Sequence, residues 1–210
     1  MAQAKTDDTS SKRAPERHKR GLIDATLDLI SEIGIPDTTV SLIIERAGVS
    51  RGMIHLHFGS KDKLLIAAIR AFCEDYDAVL ERVLEDVEQN PVERVMALIR
   101  ADLGEALLNE RSARIWHAFR GVANPSPDLK RYCGTRDGRA RDVMKDAFVT
   151  LARQDHAQDG DMLVRDATFG TLALLEGMYV DYLSNTQSFS RRDAERIIRR
   201  FIAGLFPDHF

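Results

Sequence analysis

Arg51, Gly52, Met53, His55 and His57 crowd into seven residues directly after a Gly48-Val49-Ser50 turn, and Thr39 and Lys61 stand at the starts of the predicted helices on either side. Together these residue types suit one task, gripping a nucleic-acid duplex. An arginine fork can bond guanine O6 and N7 at once, a pairing worth about 1–3 kcal/mol of discrimination against other bases. Met53 can touch a thymine methyl, and His55 and His57 can donate to phosphate. Thr39 offers a hydroxyl and a backbone amide at a helix N-terminus, Ser50 a hydroxyl at the next one, and Lys61 a charge. Such contacts set register rather than read sequence. Taken singly, an arginine or lysine on a helix is usually a solvated charge. Set around this turn, the group reads as one binding face.

A second constellation is aromatic and acidic. Trp116 and Phe119 fall at i, i+3, Tyr132 opens a later helix, and Tyr179 and Tyr182 pair at i, i+3 beside Glu176 in the most apolar predicted helix. Burying a carboxylate costs several kcal/mol unless a cation pairs with it, and aromatic faces attract quaternary ammonium groups by about 0.5–2 kcal/mol each. Trp116, Phe119, Tyr132, Glu176 and Tyr179 are therefore the candidate lining of a pocket for a small cation. A competing reading stands beside it, in which the aromatics are core and Glu176 pairs with an arginine. No metal site is expected, because His55 and His57 at i, i+2 on a helix face different ways. Cys73 and Cys133 show neither metal spacing nor a disulfide framework and fit a reducing cytoplasm.

Helical periodicity is nearly continuous and strand signals are almost absent, so the expected fold class is all-α. A first helix is predicted over 16–33, with Ile23, Leu27 and Ile30 on one stripe and Gly34 and Pro36 ending it. The second, capped by Thr39, places Val40, Ile43, Ile44 and Ala47 at i, i+3, i+4 and i+7. Gly48 suits the left-handed backbone needed to leave it, Val49 can bury in the angle, and Ser50 can cap a short third helix with Ile54 and Phe58 facing inward. Arg51, Gly52, Met53, His55 and His57 are then its outward set, a helix-turn-helix arrangement for a DNA groove. Ser60 caps a fourth helix, whose seam of Leu65, Ile69, Phe72, Tyr76, Val79 and Val83 makes a rod joining this head to a second bundle. Asn90-Pro91 starts helix 5, reaching 108. Ser112 caps helix 6, reaching 122, and the prolines at 125 and 127 precede a seventh helix ending near 153. Gly160 marks the break before helix 8, apolar on all sides and expected to be buried all round, and Ser190 with Asp193 opens helix 9, which Gly204 and Pro207 stop. Gly170, Ala173 and Gly177 form a small-residue track along helix 8 where another helix can approach closely.

With 210 residues, 44% of them hydrophobic and 30% charged, the chain can bury a sizeable core. No run of about 18 apolar residues is present to span a membrane. Residues 1–15 lack the apolar stretch of a secretory signal and read as a disordered arm. The net charge of −3 hides an asymmetry: residues 1–70 hold 11 lysines and arginines against 9 acids, so the basic excess lies where the duplex-gripping face is predicted. No Gly-rich phosphate loop, nucleophile elbow or Cys-His signature appears, so no catalytic residue and no cofactor are expected. The alternatives are a helical adaptor that makes no DNA contact, which the charge placement disfavours, and a helical enzyme with a cysteine nucleophile.

The segment AGVSRGMIHLHFGSKDKLL over 47–65, with Thr38-Thr39-Val40 ahead of it, resembles the TetR family of transcriptional regulators. Within that family, Leu22-Ile23-Asp24-Ala25-Thr26-Leu27, Ile115-Trp116-His117-Ala118-Phe119 and Leu174-Leu175-Glu176-Gly177-Met178 resemble BetI-like choline-responsive repressors. The resemblance implies a nine-helix TetR-like fold, with a DNA-binding domain over 16–60 and a ligand and dimerisation domain over 61–210, helix 4 being the connector. It also implies a cytoplasmic homodimer joined through helices 8 and 9. Two copies of helix 3 would enter successive major grooves of a palindromic operator, about 34–36 Å apart, until a small effector such as a choline-like amine releases them. A ligand that favours one tilt of helix 4 need supply only about 1–3 kcal/mol of coupling. Three positions depart from the family pattern: His55 and His57 stand where tyrosine is common, and Leu56 where a polar or aromatic residue is common. The operator therefore does not transfer. Asp181, where BetI-like proteins look basic, departs in the ligand domain.

Overall fold

The computed structural model describes residues 8–85, 87, 89–122, 127–133 and 136–210, and among these the secondary structure is helix and turn without a strand. Ten helices follow in order: α1 (Asp8–Asp37), α2 (Val40–Ala47), α3 (Gly52–Phe58), α4 (Lys61–Glu85), α5 (Pro91–Leu103), α6 (Glu110–Arg120), α7 (Pro127–Cys133), α8 (Arg136–Gln154), α9 (Gly160–Ser184) and α10 (Arg191–Leu205). The extra helix arises because the segment expected to form one helix up to 153 is α7 and α8. Residues 134 and 135 lie outside the described residues, as do 124–126 of the break predicted over Asn124-Pro125-Ser126-Pro127-Asp128, whose last two residues open α7. Residues 8–15, expected in a disordered arm, belong to α1, and residues 1–7 of that arm lie outside the described residues.

The head is built by local signals. Gly34 breaks the helical path of α1 with φ 79°, ψ 169°, where the sequence places the end of that helix. Thr39 Oγ1 then accepts the Leu42 N–H at 3.3 Å and caps α2. Gly48 leaves α2 in the left-handed region, φ 64°, ψ 34°, where a side chain is strained. The angle between helices closes over Ile43, Ile54 and Leu64, which are buried with Leu22, Leu27 and Ile30 of α1. Burial of this kind stabilises by about 1.5–3 kcal/mol per large side chain.

In the bundle, two ends differ from expectation. α5 stops at Leu103 instead of reaching 108, because Gly104 turns extended and Leu107 and Leu108 bury themselves in the connection. Arg191 of α10 satisfies the carbonyls this leaves, donating to Leu103 O at 2.5 Å and Leu108 O at 2.9 Å. Ser112 is not the cap of α6. The earlier Asn109, in extended conformation, accepts the Ser112 N–H at 2.9 Å and starts the helix three residues sooner.

α9 was expected to be buried all round, yet it leaves Met162, Phe169 and Val180 open, at 60%, 55% and 48% exposure. Its other side packs on α8, α6 and α10, and among the described residues no helix covers these three side chains. Gly170 is used within the chain, since a Cβ there would come within 2.2 Å of Phe201 Cζ, whereas a Cβ at Gly177 would meet nothing within 4 Å. Among the described residues, two ion pairs join head to bundle. Arg20 of α1 reaches Asp75 of α4 at 3.0 Å, and Arg111 of α6 reaches Asp28 of α1 at 2.7 Å.

Candidate functional site

α3 is seven residues long, and its periodicity decides what faces outward. At about 100° per residue, positions 53, 54, 57 and 58 share one arc and 52, 55 and 56 the opposite one. Ile54 is buried and Met53, His57 and Phe58 are half-buried, while Arg51, Gly52, His55 and Leu56 are exposed. The predicted outward set is corrected accordingly: Met53 and His57 turn inward, and Leu56, 74% exposed, takes a place on the open face. His57 Nε2 is shielded from solvent with no hydrogen-bond partner, its ring edge-on to Phe58 at 6.3 Å.

The remaining side chains are positioned by backbone chemistry. No side chain caps α3. Arg51 stands before it in helical conformation, and Ser50 contributes its carbonyl, accepting the Met53 N–H at 3.0 Å. The expected Ser50 hydroxyl cap is thereby replaced, and that residue stays exposed. Arg51 Nη2 donates to Ser41 Oγ at 3.3 Å, which lays the guanidinium along α2. His55 Nδ1 lies 3.0 Å from Gly59 O. A carbonyl only accepts, so Nδ1 carries the hydrogen and Nε2 is left to face outward. Ser60 Oγ accepts the Lys63 N–H at 3.2 Å and sets the start of α4, from which Lys61 projects half-buried. A Cβ on Gly52 would meet nothing within 4 Å, so nothing inside the chain requires glycine there, and the surface beside it can be approached closely from outside.

The second site is assembled from α4, α5, α6 and α9. Asp102 of α5, 3% exposed, accepts from Tyr76 OH of α4 at 3.0 Å, and Tyr179 OH of α9 lies 3.2 Å from both its Oδ1 and its carbonyl. Trp116 of α6, 2% exposed, meets Phe72 and Tyr76 edge-on at 5.2 and 6.4 Å. Between α4, α5, α8 and α9 is a cavity with ≈ 10 Å³ of free space, lined by Tyr76, Leu98, Asp102, Met144, Leu175 and Glu176. A second hollow of ≈ 250 Å³ is bordered by Tyr76 and Trp116, with Asp75 and Arg111 on its walls. Arg120 Nη2 lies 3.3 Å from Glu176 Oε2, and its guanidinium carbon sits 5.6 Å from the Trp116 ring centre. Further along α4, burial pushes the carboxyl of Asp77 above its usual range, Arg139 opposing and Glu81 adding to the shift.

Of the predicted lining, Glu176 borders the cavity, Tyr179 bonds to its buried carboxylate, and Trp116 adjoins it through Tyr76. Phe119 is a core residue, 1% exposed, and Tyr132 lies on α7 with its carbonyl 3.6 Å from Cys73 Sγ, so neither borders the cavity. Glu176 does pair with an arginine. The deeply buried carboxylate is Asp102, which sequence reading missed together with Tyr76 and Arg120. Two signals were there: Asp102 continues the buried stripe of Val95 and Ile99, and Arg120 stands one turn after Trp116.

Residues 22–68 match the family described as bacterial regulatory proteins, tetR family, and residues 91–207 match the BetI-type transcriptional repressor, C-terminal. The HTH-type transcriptional regulator BetI 1 of Chromohalobacter salexigens is 40% identical over 163 residues, 77% of each chain. This chain belongs to the TetR family. The BetI regulator of Escherichia coli K12 is 28% identical over 190 residues, 90% of this chain and 94% of that one. Among solved structures, a transcriptional regulator from Pseudomonas aeruginosa PAO1 superposes with TM-score 0.81 at 26% identity, over 92% of each chain. A second, from Saccharomonospora viridis in complex with choline, shares the fold with TM-score 0.73 at 19% identity, over 89% of this chain and 96% of that one. As a TetR-family member the protein is a DNA-binding transcriptional regulator, with α2 and α3 as its helix-turn-helix and a C-terminal part of the BetI repressor type.

Proposed function

We propose that this regulator is a dimeric repressor, released from a palindromic operator by a small organic cation. Asp102 carries the cationic part of the reading. A carboxylate held at 3% exposure between two tyrosine hydroxyls, with an indole alongside, suits an ammonium group with an apolar shell. Choline-like amines are the class to test. Titrating choline against the protein by calorimetry should give saturable heat, and none across the millimolar range removes the cationic effector.

On the operator, Arg51 reads a base, Thr39, Ser50 and Lys61 hold phosphates, His55 offers its outward Nε2 lone pair to an amino group on a base edge, and the open surface at Gly52 and Leu56 lies against the groove wall. Met53 and His57 support the face from beneath. Dimerisation through α9 and α10 would cover Met162, Phe169, Val180 and Ile197, with Ala173 and Gly177 letting the partner helix approach. Sedimentation at micromolar concentration tests this, a monomer excluding it. The head over 16–60 and the bundle over 61–210 then communicate along α4 and also through α6. α4 carries Tyr76 of the effector site and Asp75, which holds Arg20 of α1. α6 carries Trp116 and Arg111, which holds Asp28 of α1. A ligand that moves either helix moves the DNA-binding head.

A further inference from the structure

A quaternary ammonium asks two things of this site, an aromatic face and a carboxylate. At the C-terminal end of α6 a side chain of the protein already takes both. The Arg120 guanidinium lies 5.6 Å from the Trp116 ring centre and its Nη2 lies 3.3 Å from Glu176 Oε2. The cavity that Glu176 borders has ≈ 10 Å³ of free space, which holds a water molecule at most. An organic cation therefore reaches Glu176 at this cavity only when a side chain withdraws. Tyr76 and Tyr179 both donate to Asp102 and all three are buried, whereas the Arg120 side chain is 28% exposed and can carry its charge into water by rotating about its flexible stem.

We propose that Arg120 is a built-in competitor for the effector site, expelled from Trp116 and Glu176 by the incoming cation. This rests on the cationic-effector reading. The effector is then a compact monocation without an anionic group, because a carboxylate on the ligand would keep Arg120 in place as its partner. Expulsion also gives the ligand a lever. Arg120, Trp116 and Arg111 share α6, so losing the contact to Glu176 of α9 frees α6 to shift against α1.

The test uses the full-length protein with tetramethylammonium chloride and choline chloride as probes, at ionic strength matched with sodium chloride. Trp116 is the single tryptophan of the chain, so its fluorescence reports binding directly. Arg120→Met should bind both probes about tenfold more tightly than the wild type, and Arg120→Lys should stay within about threefold of it. If Arg120→Met melts early, Arg120→Gln carries the same expectation. Unchanged or weaker binding in a variant that melts like the wild type overturns the competitor role and leaves the cationic site standing. Absence of binding in wild type and variants alike overturns both, while operator binding, measured in parallel, tests the DNA-binding reading independently.

Discussion

On α3 the groups that meet DNA stand in the open, with Arg51, His55 and Leu56 exposed. The groups that would meet an effector are buried in the bundle, Trp116 being 2% and Asp102 3% exposed. The head can therefore bind without rearranging, whereas the bundle cannot. Part of the effector's binding free energy goes into moving side chains and helices, and only a ligand with different affinities for two arrangements can shift between them. The same contrast extends to how each region is held. The head is closed by caps and a turn a few residues long. The effector site hangs on hydrogen bonds between residues 26 and 77 positions apart.

The largest effect should come from Arg51→Ala. Operator affinity should fall about tenfold to a hundredfold in an anisotropy titration, with the affinity for tetramethylammonium unchanged. A fall in both would break the separation between the regions. The mirror experiment is Asp102→Asn, which keeps an acceptor for Tyr76 and Tyr179 but removes the charge. It should weaken tetramethylammonium about tenfold while operator affinity holds. Arg111→Ala sharpens the comparison from between the two. Both ligands should bind as before, but the release of DNA by the effector should shrink about threefold, since the ion pair to Asp28 is exposed and contributes modestly.

Asp77→Asn should act least. Burial raises the folded-state pKa of Asp77 above its unfolded value, so the ionised carboxylate destabilises the fold at neutral pH, and this penalty fades as pH falls through the folded value. The variant should melt about 1–3 °C higher than the wild type at pH 7, and the gap should close near pH 4. A gap that widens toward acid contradicts the assignment. Both DNA and effector affinity should be indifferent to the change.

Much of the head is legible in the sequence because its determinants are neighbours. Thr39 caps the helix that follows it, Gly48 takes the left-handed conformation expected of it, and Ser60 caps α4. The error at Met53 and His57 has a geometric source. Ile54 and Phe58 define a line down the helix, but the buried face is an arc whose centre lies between positions 54 and 57, and a seven-residue helix is too short for periodicity to locate that centre. In the bundle, Asn109 and Ser112 both qualify as caps, and the choice depends on where the buried Leu107 and Leu108 hold the connection. Asp102 escaped notice because an aspartate on an apolar stripe means little until Tyr76 and Tyr179 are seen to meet it. Arg120 shows the limit most plainly: spacing puts it above Trp116, but Glu176 arrives from another helix.

The central claim, that the exposed face of α3 grips a duplex in a dimer, is tested most directly by anisotropy with a labelled duplex from the DNA upstream of the protein's own gene. Wild type, Arg51→Ala and Lys61→Ala would be compared across a salt series. The account predicts two protomers per site, affinity that falls steeply with salt, a sequence-dependent loss in Arg51→Ala and a smaller, sequence-independent loss in Lys61→Ala. Binding that ignores both substitutions would contradict it.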